Sequence, residues 1–119
     1  MVHNIAYLRM VEIARSQLAA ALGWSLEEMG RTGLVPAVAR TEIDYLKPAR
    51  LGEHLKVTAE LIRLEKVRFL IRFEIVSATQ PDLLFVRCIQ TMVTVQLPGG
   101  RPQRVPKAWT DAYPQLISV

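Results

Sequence analysis

The spacing of the apolar residues changes once along this chain, and that change limits the folds open to it. From Asn4 to Leu22, residues Leu8, Val11, Ala14, Leu18 and Ala21 recur at helical spacing. From Pro36 onward the period is two. Ala37, Ala39, Thr41, Ile43 and Tyr45 share one face, with Val38, Arg40, Glu42 and Asp44 on the other. Leu55, Val57, Ala59 and Leu61 alternate with His54, Lys56, Thr58 and Glu60. Val67, Phe69, Ile71, Phe73 and Ile75 alternate with Arg68, Leu70, Arg72 and Glu74. A fourth run, Leu83 to Leu97, alternates less cleanly, as expected of a strand covered on both faces. One long helix followed by four long strands with short connections predicts an α+β domain. In it the helix packs into a curved antiparallel sheet, read here as a meander of hairpins.

The helix boundaries have local causes. Asn4 is a candidate N-cap and Gly23 a stop. Within the helix Arg9, Glu12 and Ser16 form a narrow polar stripe, and Glu12 can pair with Arg9 and Arg15 at three-residue spacing. Most other positions are apolar or small, so burial on more than one side is expected. Ser25-Leu26-Glu27-Glu28 is a capping box for a second, short helix, ended by Gly30 and Gly33. Thr79-Gln80-Pro81-Asp82 and Pro98-Gly99-Gly100 are turns, and the tail has a short helix near Lys107 to Ala112.

The totals narrow the function classes. A chain of 119 residues, 50% apolar, can build one core without disulfides or a metal. Its single cysteine, Cys88, falls in a strand-like run and reads as a small buried apolar residue; no Cys/His cluster has zinc spacing. A reducing, cytoplasmic setting fits. The net charge of +4 is scattered, without a basic tract, so a nucleic-acid-binding reading rests on charge alone. The same cations could receive an anionic small molecule. No apolar run approaches the roughly 20 residues of a membrane span. Arg9, Glu12 and Arg15 break any signal-peptide pattern.

Four landmarks, in order, resemble the hot-dog-fold acyl-CoA thioesterases of the 4-hydroxybenzoyl-CoA thioesterase type. The first is Val2-His3-Asn4-x-x-Tyr7-Leu8 with Glu12 and Ala14-Arg15 after it. The second and most specific is Ile43-Asp44-Tyr45-Leu46-Lys47-Pro48-Ala49-Arg50. The third is the set of long alternating strands. The fourth is Gly100-Arg101-Pro102-x-Arg104-Val105-Pro106. The resemblance covers residues 1–119 as a single domain. It implies a long helix wrapped by an antiparallel sheet, assembled as a homodimer or homotetramer. The implied reaction is hydrolysis of an acyl-CoA thioester to a free acid and coenzyme A, with no metal or bound cofactor.

The chain departs from that pattern at its start. Family members begin with a strand and an Asp-x-x-Gly loop whose Asp serves as nucleophile or general base. That Asp would lie about six residues ahead of His3, before Met1, and the first eleven residues contain no Asp or Glu. The favoured reading is a start inside a longer protein; a genuine start at Met1 is the alternative.

Candidate site residues follow from the resemblance and from the chemistry. Thioester hydrolysis needs an activated water or carboxylate, and donors for the developing oxyanion. The start of the Asn4–Leu22 helix offers backbone N–H groups and positive potential. His3 is the candidate catalytic residue there, and Asn4 and Tyr7 are candidate substrate contacts. Each has a plainer reading: an exposed terminal histidine, a helix cap and a core aromatic. Glu12, flanked by arginines, reads as structural. Lys66 and Arg68, with Arg101 and Arg104 in the closing motif, are candidates for the phosphates of coenzyme A; the plainer reading is solvated surface charge. Lys47 and Arg50 are alternatives. Against the hydrolase stands a non-catalytic hot-dog protein that binds acyl-CoA or an acyl carrier partner.

Overall fold

The computed structural model describes residues 4–50 and 52–118; of Asn4 and Ile5 the backbone alone is described. Two helices come first, α1 (Asn4–Ala21) and α2 (Leu26–Thr32). Four long strands follow: β1 (Leu34–Tyr45), β2 (Leu55–Leu64), β3 (Arg68–Ser77) and β4 (Leu84–Gln96). A two-residue strand β5 (Arg101–Pro102), helix α3 (Lys107–Ala112) and a 3-10 turn at Pro114–Leu116 complete the chain. The described helices include none long and apolar enough to cross a membrane.

The capping box forms as its sequence dictates. The Ser25 hydroxyl accepts the Glu28 N–H at 3.2 Å. Gly30 does not end α2, which runs on to Thr32. Gly33 ends it, because the chain there turns into the left-handed region (φ +74°) and a side chain would collide with Gln96.

The sheet is antiparallel with strand order β1-β4-β3-β2, and β5 pairs with the end of β4. The strands therefore do not form the expected meander. β2–β3 and β3–β4 are hairpins, but β1 crosses over to pair with β4 along its whole length. The connection after Tyr45 is what carries the chain across. Leu46 and Lys47 donate to the Phe85 carbonyl, and the Ala49 N–H donates to the Tyr7 hydroxyl at 3.2 Å. The chain from Leu46 to Ala49 is thereby tied beneath the start of α1, and β2 begins on the far side of the sheet.

Register explains a second departure. A bulge between Val38 and Arg40 sets Val38 opposite Met92 and Thr41 opposite Gln90. Val38 thus joins Thr41, Ile43 and Tyr45 on the inner face, where simple alternation puts it on the other side. The β2 and β3 alternation holds: Leu61, Phe69, Ile71, Phe73 and Ile75 are buried.

Helix α1 lies over β2 and β3. Its first turns pack Tyr7 with Ala49, Ile75, Phe85 and Val86. Its last turns pack Ala19 with Trp24, Phe69 and Trp109. Two indole N–H groups pin this second cluster: Trp24 donates to the Leu34 carbonyl at 3.0 Å and Trp109 to the Leu22 carbonyl at 3.1 Å. The helix is not covered on more than one side within this chain, since Leu8 and Ile13 are 37% and 54% exposed.

Candidate functional site

Two regions gather chemically capable side chains, and α1 separates them. The first is the open inner face between α1 and β1. Leu8, Glu12 and Arg15 stand at i, i+4 and i+7, which aligns them along one side of α1. Across from them the inner face of β1 presents Val38, Thr41, Ile43 and Tyr45. Arg15 joins the two: it donates to the Gln90 side-chain carbonyl at 2.8 Å, and Gln90 donates to the Thr41 hydroxyl at 3.2 Å. Arg15 also holds Glu12 in an ion pair, so that of the two arginines expected beside Glu12 it is Arg15 that pairs with it. Beneath them, burial pushes the Cys88 thiol up to about 11, helped by the negative charge of Glu12. That thiol is protonated and inert at neutral pH.

The residues expected at the helix start fare differently from one another. His3 lies outside the described residues, and Asn4 is the first residue of α1. Tyr7 is 3% exposed, and its hydroxyl accepts from Ala49. The accessible aromatic of this corner is Tyr45, 44% exposed, whose ring stands 5.8 Å from that of Tyr7. Lys47 and Arg50 flank the crossover and are exposed.

The second region is at the other end of α1. There the tail folds back on β2: the Ser118 N–H donates to the Leu64 carbonyl at 2.8 Å, and Arg63 donates to the Ser118 hydroxyl at 2.7 Å. This leaves an open cleft of about 510 Å³ between the β2–β3 turn, α3 and the tail, with Lys66, Arg104 and Lys107 on its walls. A neighbouring hollow of about 450 Å³ shares Lys66 and adds Arg63 and Arg68. Backbone pairing brings the segments together, since Val105 donates to the Lys66 carbonyl at 2.9 Å and Arg101 pairs with Gln96 in the β4–β5 ladder.

Lys66, Arg68, Arg101 and Arg104 therefore collect at one end of the sheet. Among the described residues, none of these four, nor Lys107, pairs with a carboxylate. The local acid, Glu65, is taken by Arg63 at 3.0 Å. Lys107 was missed in the sequence because it becomes a neighbour of Lys66 through the Val105–Lys66 backbone bond, between residues far apart in the chain. The Arg15–Gln90–Thr41 chain was missed too, although Gln90 carried a signal: an amide at an inward position of an alternating strand.

A model of the thioesterase-like superfamily matches residues 1–113. The chain belongs to this superfamily. No curated protein matches it in sequence. Among solved structures, a 1,4-dihydroxy-2-naphthoyl-CoA thioesterase from Synechocystis superposes with a TM-score of 0.81 at 23% identity, covering 97% of this chain and 84% of that one. A DHNA-CoA thioesterase from Staphylococcus aureus gives 0.81 at 20% identity, covering 96% and 77%. A second Staphylococcus aureus protein, solved in complex with CoA, gives 0.85 at 15% identity, covering 99% and 75%. At these identities the likeness is one of fold. The thioesterase-like chain has the hot-dog architecture, a helix held by an antiparallel sheet.

Proposed function

We propose that this thioesterase-like chain is an acyl-CoA hydrolase acting as a homodimer or a dimer of dimers in the cytoplasm. The observation that carries the reading from thioester to acyl-CoA is the gathering of Lys66, Arg68, Arg101, Arg104 and Lys107 at one end, none of them paired with a carboxylate among the described residues. Phosphates are the ligands such cations hold best, through charge-assisted hydrogen bonds. The 18-residue helix α1 separates this end from the helix start by about 27 Å. An extended coenzyme has a comparable length, so its phosphates and its thioester can lie at the two ends.

In the reaction, water adds to the thioester carbonyl, the tetrahedral oxyanion collapses, and the C–S bond breaks to give a carboxylic acid and the coenzyme A thiol. The first-turn N–H groups of α1 stabilise the oxyanion. His3 polarises the carbonyl beside them, with Asn4 as a contact to the acyl group. Tyr7 backs the acyl pocket from behind Tyr45. The water is activated by a general base, the role the family resemblance gives to a carboxylate. No metal or bound cofactor takes part. The partner copy lies against β1, whose far edge has no neighbour among the described residues.

The test compares acyl-CoA with the same acyl group on N-acetylcysteamine, a thioester without phosphates. Lys66→Glu with Arg104→Glu raises KM for acyl-CoA by about tenfold or more and leaves the short thioester unchanged. Equal loss on both substrates removes the phosphate assignment. One observation favours a non-catalytic binder: α1 has no acidic residue in its first turn, and Glu12 is held by Arg15. Tight acyl-CoA binding without thiol release would establish that reading.

A further inference from the structure

The cleft at the basic end holds more than cations. Lys66, Arg104 and Lys107 stand on its walls, yet most of its lining is apolar, with Ile117 45% exposed beside Leu64 and Val105. The adjoining hollow differs, because Arg63, Glu65, Lys66 and Arg68 make its walls charged. Arg63 is engaged there by Glu65 and Ser118, which leaves Lys66 and Arg68 as its available cations. Phosphate alone calls for charge and hydrogen-bond donors. An apolar wall beside such donors suits a ligand that carries a flat ring on the same unit as its phosphate. The volume, about 510 Å³, lies within the range of small-molecule pockets, roughly 300–1,000 Å³. The walls are anchored before any ligand enters. Val105 is bonded to the Lys66 carbonyl at 2.9 Å, Trp109 ties α3 to the Leu22 carbonyl at 3.1 Å, and Ser118 is bonded to the Leu64 carbonyl at 2.8 Å. Little ordering is left to offset the gain on binding. The wall made by Ile117 and Ser118 lies beyond residues 1–113, the part that matches the superfamily.

We propose that this tail-walled cleft seats the adenosine 3′-phosphate of a free nucleotide thioester and so excludes thioesters carried on a protein. Lys107 and Arg104 hold the 3′-phosphate, Ile117 lies against the adenine, and Lys66 with Arg68 holds the pyrophosphate in the adjoining hollow. The inference rests on the acyl-CoA reading above. Adenine and the 3′-phosphate hang on one ribose, so the apolar wall and the cations beside it take both. Lys66, common to the two spaces, marks the step to the pyrophosphate. A phosphopantetheine arm on a carrier protein has one phosphodiester, no adenine and no 3′-phosphate. It leaves the cleft unfilled and the cations Arg104 and Lys107 without an anion, which is where the discrimination arises. Lys107 and Ile117 are the specificity-determining residues.

The experiment uses the whole protein and one acyl group on three carriers: CoA, dephospho-CoA and phosphopantetheine. The readouts are KM and calorimetric affinity for each, with adenosine 3′,5′-bisphosphate and adenosine 5′-monophosphate as competitors that lack a thioester. In the wild type, KM for acyl-CoA is about tenfold below that for the dephospho-CoA thioester. The bisphosphate competes with acyl-CoA, and the monophosphate competes more weakly. Lys107→Ala brings the ratio of the two KM values toward one and removes the advantage of the bisphosphate. Lys107→Arg retains both. Ile117→Ser weakens the two nucleotide thioesters relative to the phosphopantetheine thioester, a split that general destabilisation does not give. Lys107 and Ile117 are exposed, so an unchanged thermal midpoint shows that the fold survives. A wild type that treats CoA and dephospho-CoA thioesters alike, or a Lys107→Ala variant that still separates them, overturns the inference while leaving the hydrolase reading intact. Failure to bind or cleave any of the three thioesters overturns both.

Discussion

β3 and β1 lie in one sheet, separated only by β4, yet they are surrounded differently. Every inward side chain of β3 from Phe69 to Ser77 is buried. Of the twelve residues of β1 none is buried, and Val38 and Tyr45 are close to half exposed. The cause is the position of α1, which covers β2 and β3 and stops short of β1. One half of the sheet is therefore completed by the chain itself. The other half presents an apolar inner face and an open edge, features that proteins ordinarily cover. Stability and recognition are thus separated laterally across one sheet, with β4 as the border.

The largest effect expected from this contrast comes from Phe73, fully buried under α1. Phe73→Ala removes a ring from a packed interior and leaves a cavity, so it should cost about 3–5 kcal/mol in denaturant unfolding. A cost below about 1 kcal/mol would mean that the covered half does not carry the stability, and the contrast with β1 would collapse.

Cys88 tests the border itself. It sits on the inner face of β4 opposite Ile43 of β1 and Phe73 of β3. Its folded pKa of about 11 lies above the ordinary thiol value of about 8.5, so the folded protein keeps the proton longer than the unfolded chain does. Stability is then fully present below about pH 8.5, falls as pH rises toward about 11 and levels off beyond it. The loss is on the order of 3 kcal/mol. Other groups titrate in the same range, so the measurement is the difference between wild type and Cys88→Ala in chemical unfolding from pH 7 to pH 11. Parallel curves would show that β4 is wetted from the β1 side and that the border lies closer to β3.

The same contrast explains which parts of the structure could be read in the sequence. β2, β3 and α1 were legible because a residue that is buried by its own chain shows a strict period: Phe69, Ile71, Phe73 and Ile75 point one way without exception. The pairing of β1 was not legible. Its partner is decided by where the crossover from Leu46 to His54 leads, and that depends on the Tyr7–Ala49 hydrogen bond between residues 42 positions apart. The Val38 bulge was hidden for a related reason. On a strand with both faces exposed, apolar and polar residues alternate weakly, and a one-residue slip leaves no mark. The cation cluster was half legible. Lys66, Arg68, Arg101 and Arg104 could be placed near strand ends, but Lys107 joins them because Val105, two residues before it, bonds to the Lys66 carbonyl. The chemistry of the helix start was named from the family resemblance, and the first residue that carries it, His3, lies outside the described residues.

The smallest expected effect on the single chain is the one that most sharpens the comparison. Val38 is 45% exposed on the inner face of β1. A lysine there meets water, with room for its stem along the strand, so Val38→Lys should change the unfolding free energy of one protomer by no more than about 0.5 kcal/mol. The same lysine on a face covered by a second copy would place two like charges near the two-fold axis. Sedimentation equilibrium should then show wild type as a dimer or larger and Val38→Lys shifted toward monomer. Unfolding measured at several protein concentrations should lose its concentration dependence in the variant. If Val38→Lys assembles as the wild type does, the copies meet elsewhere. β1 would then be open in the assembly, and its apolar inner face would be left to ligands alone.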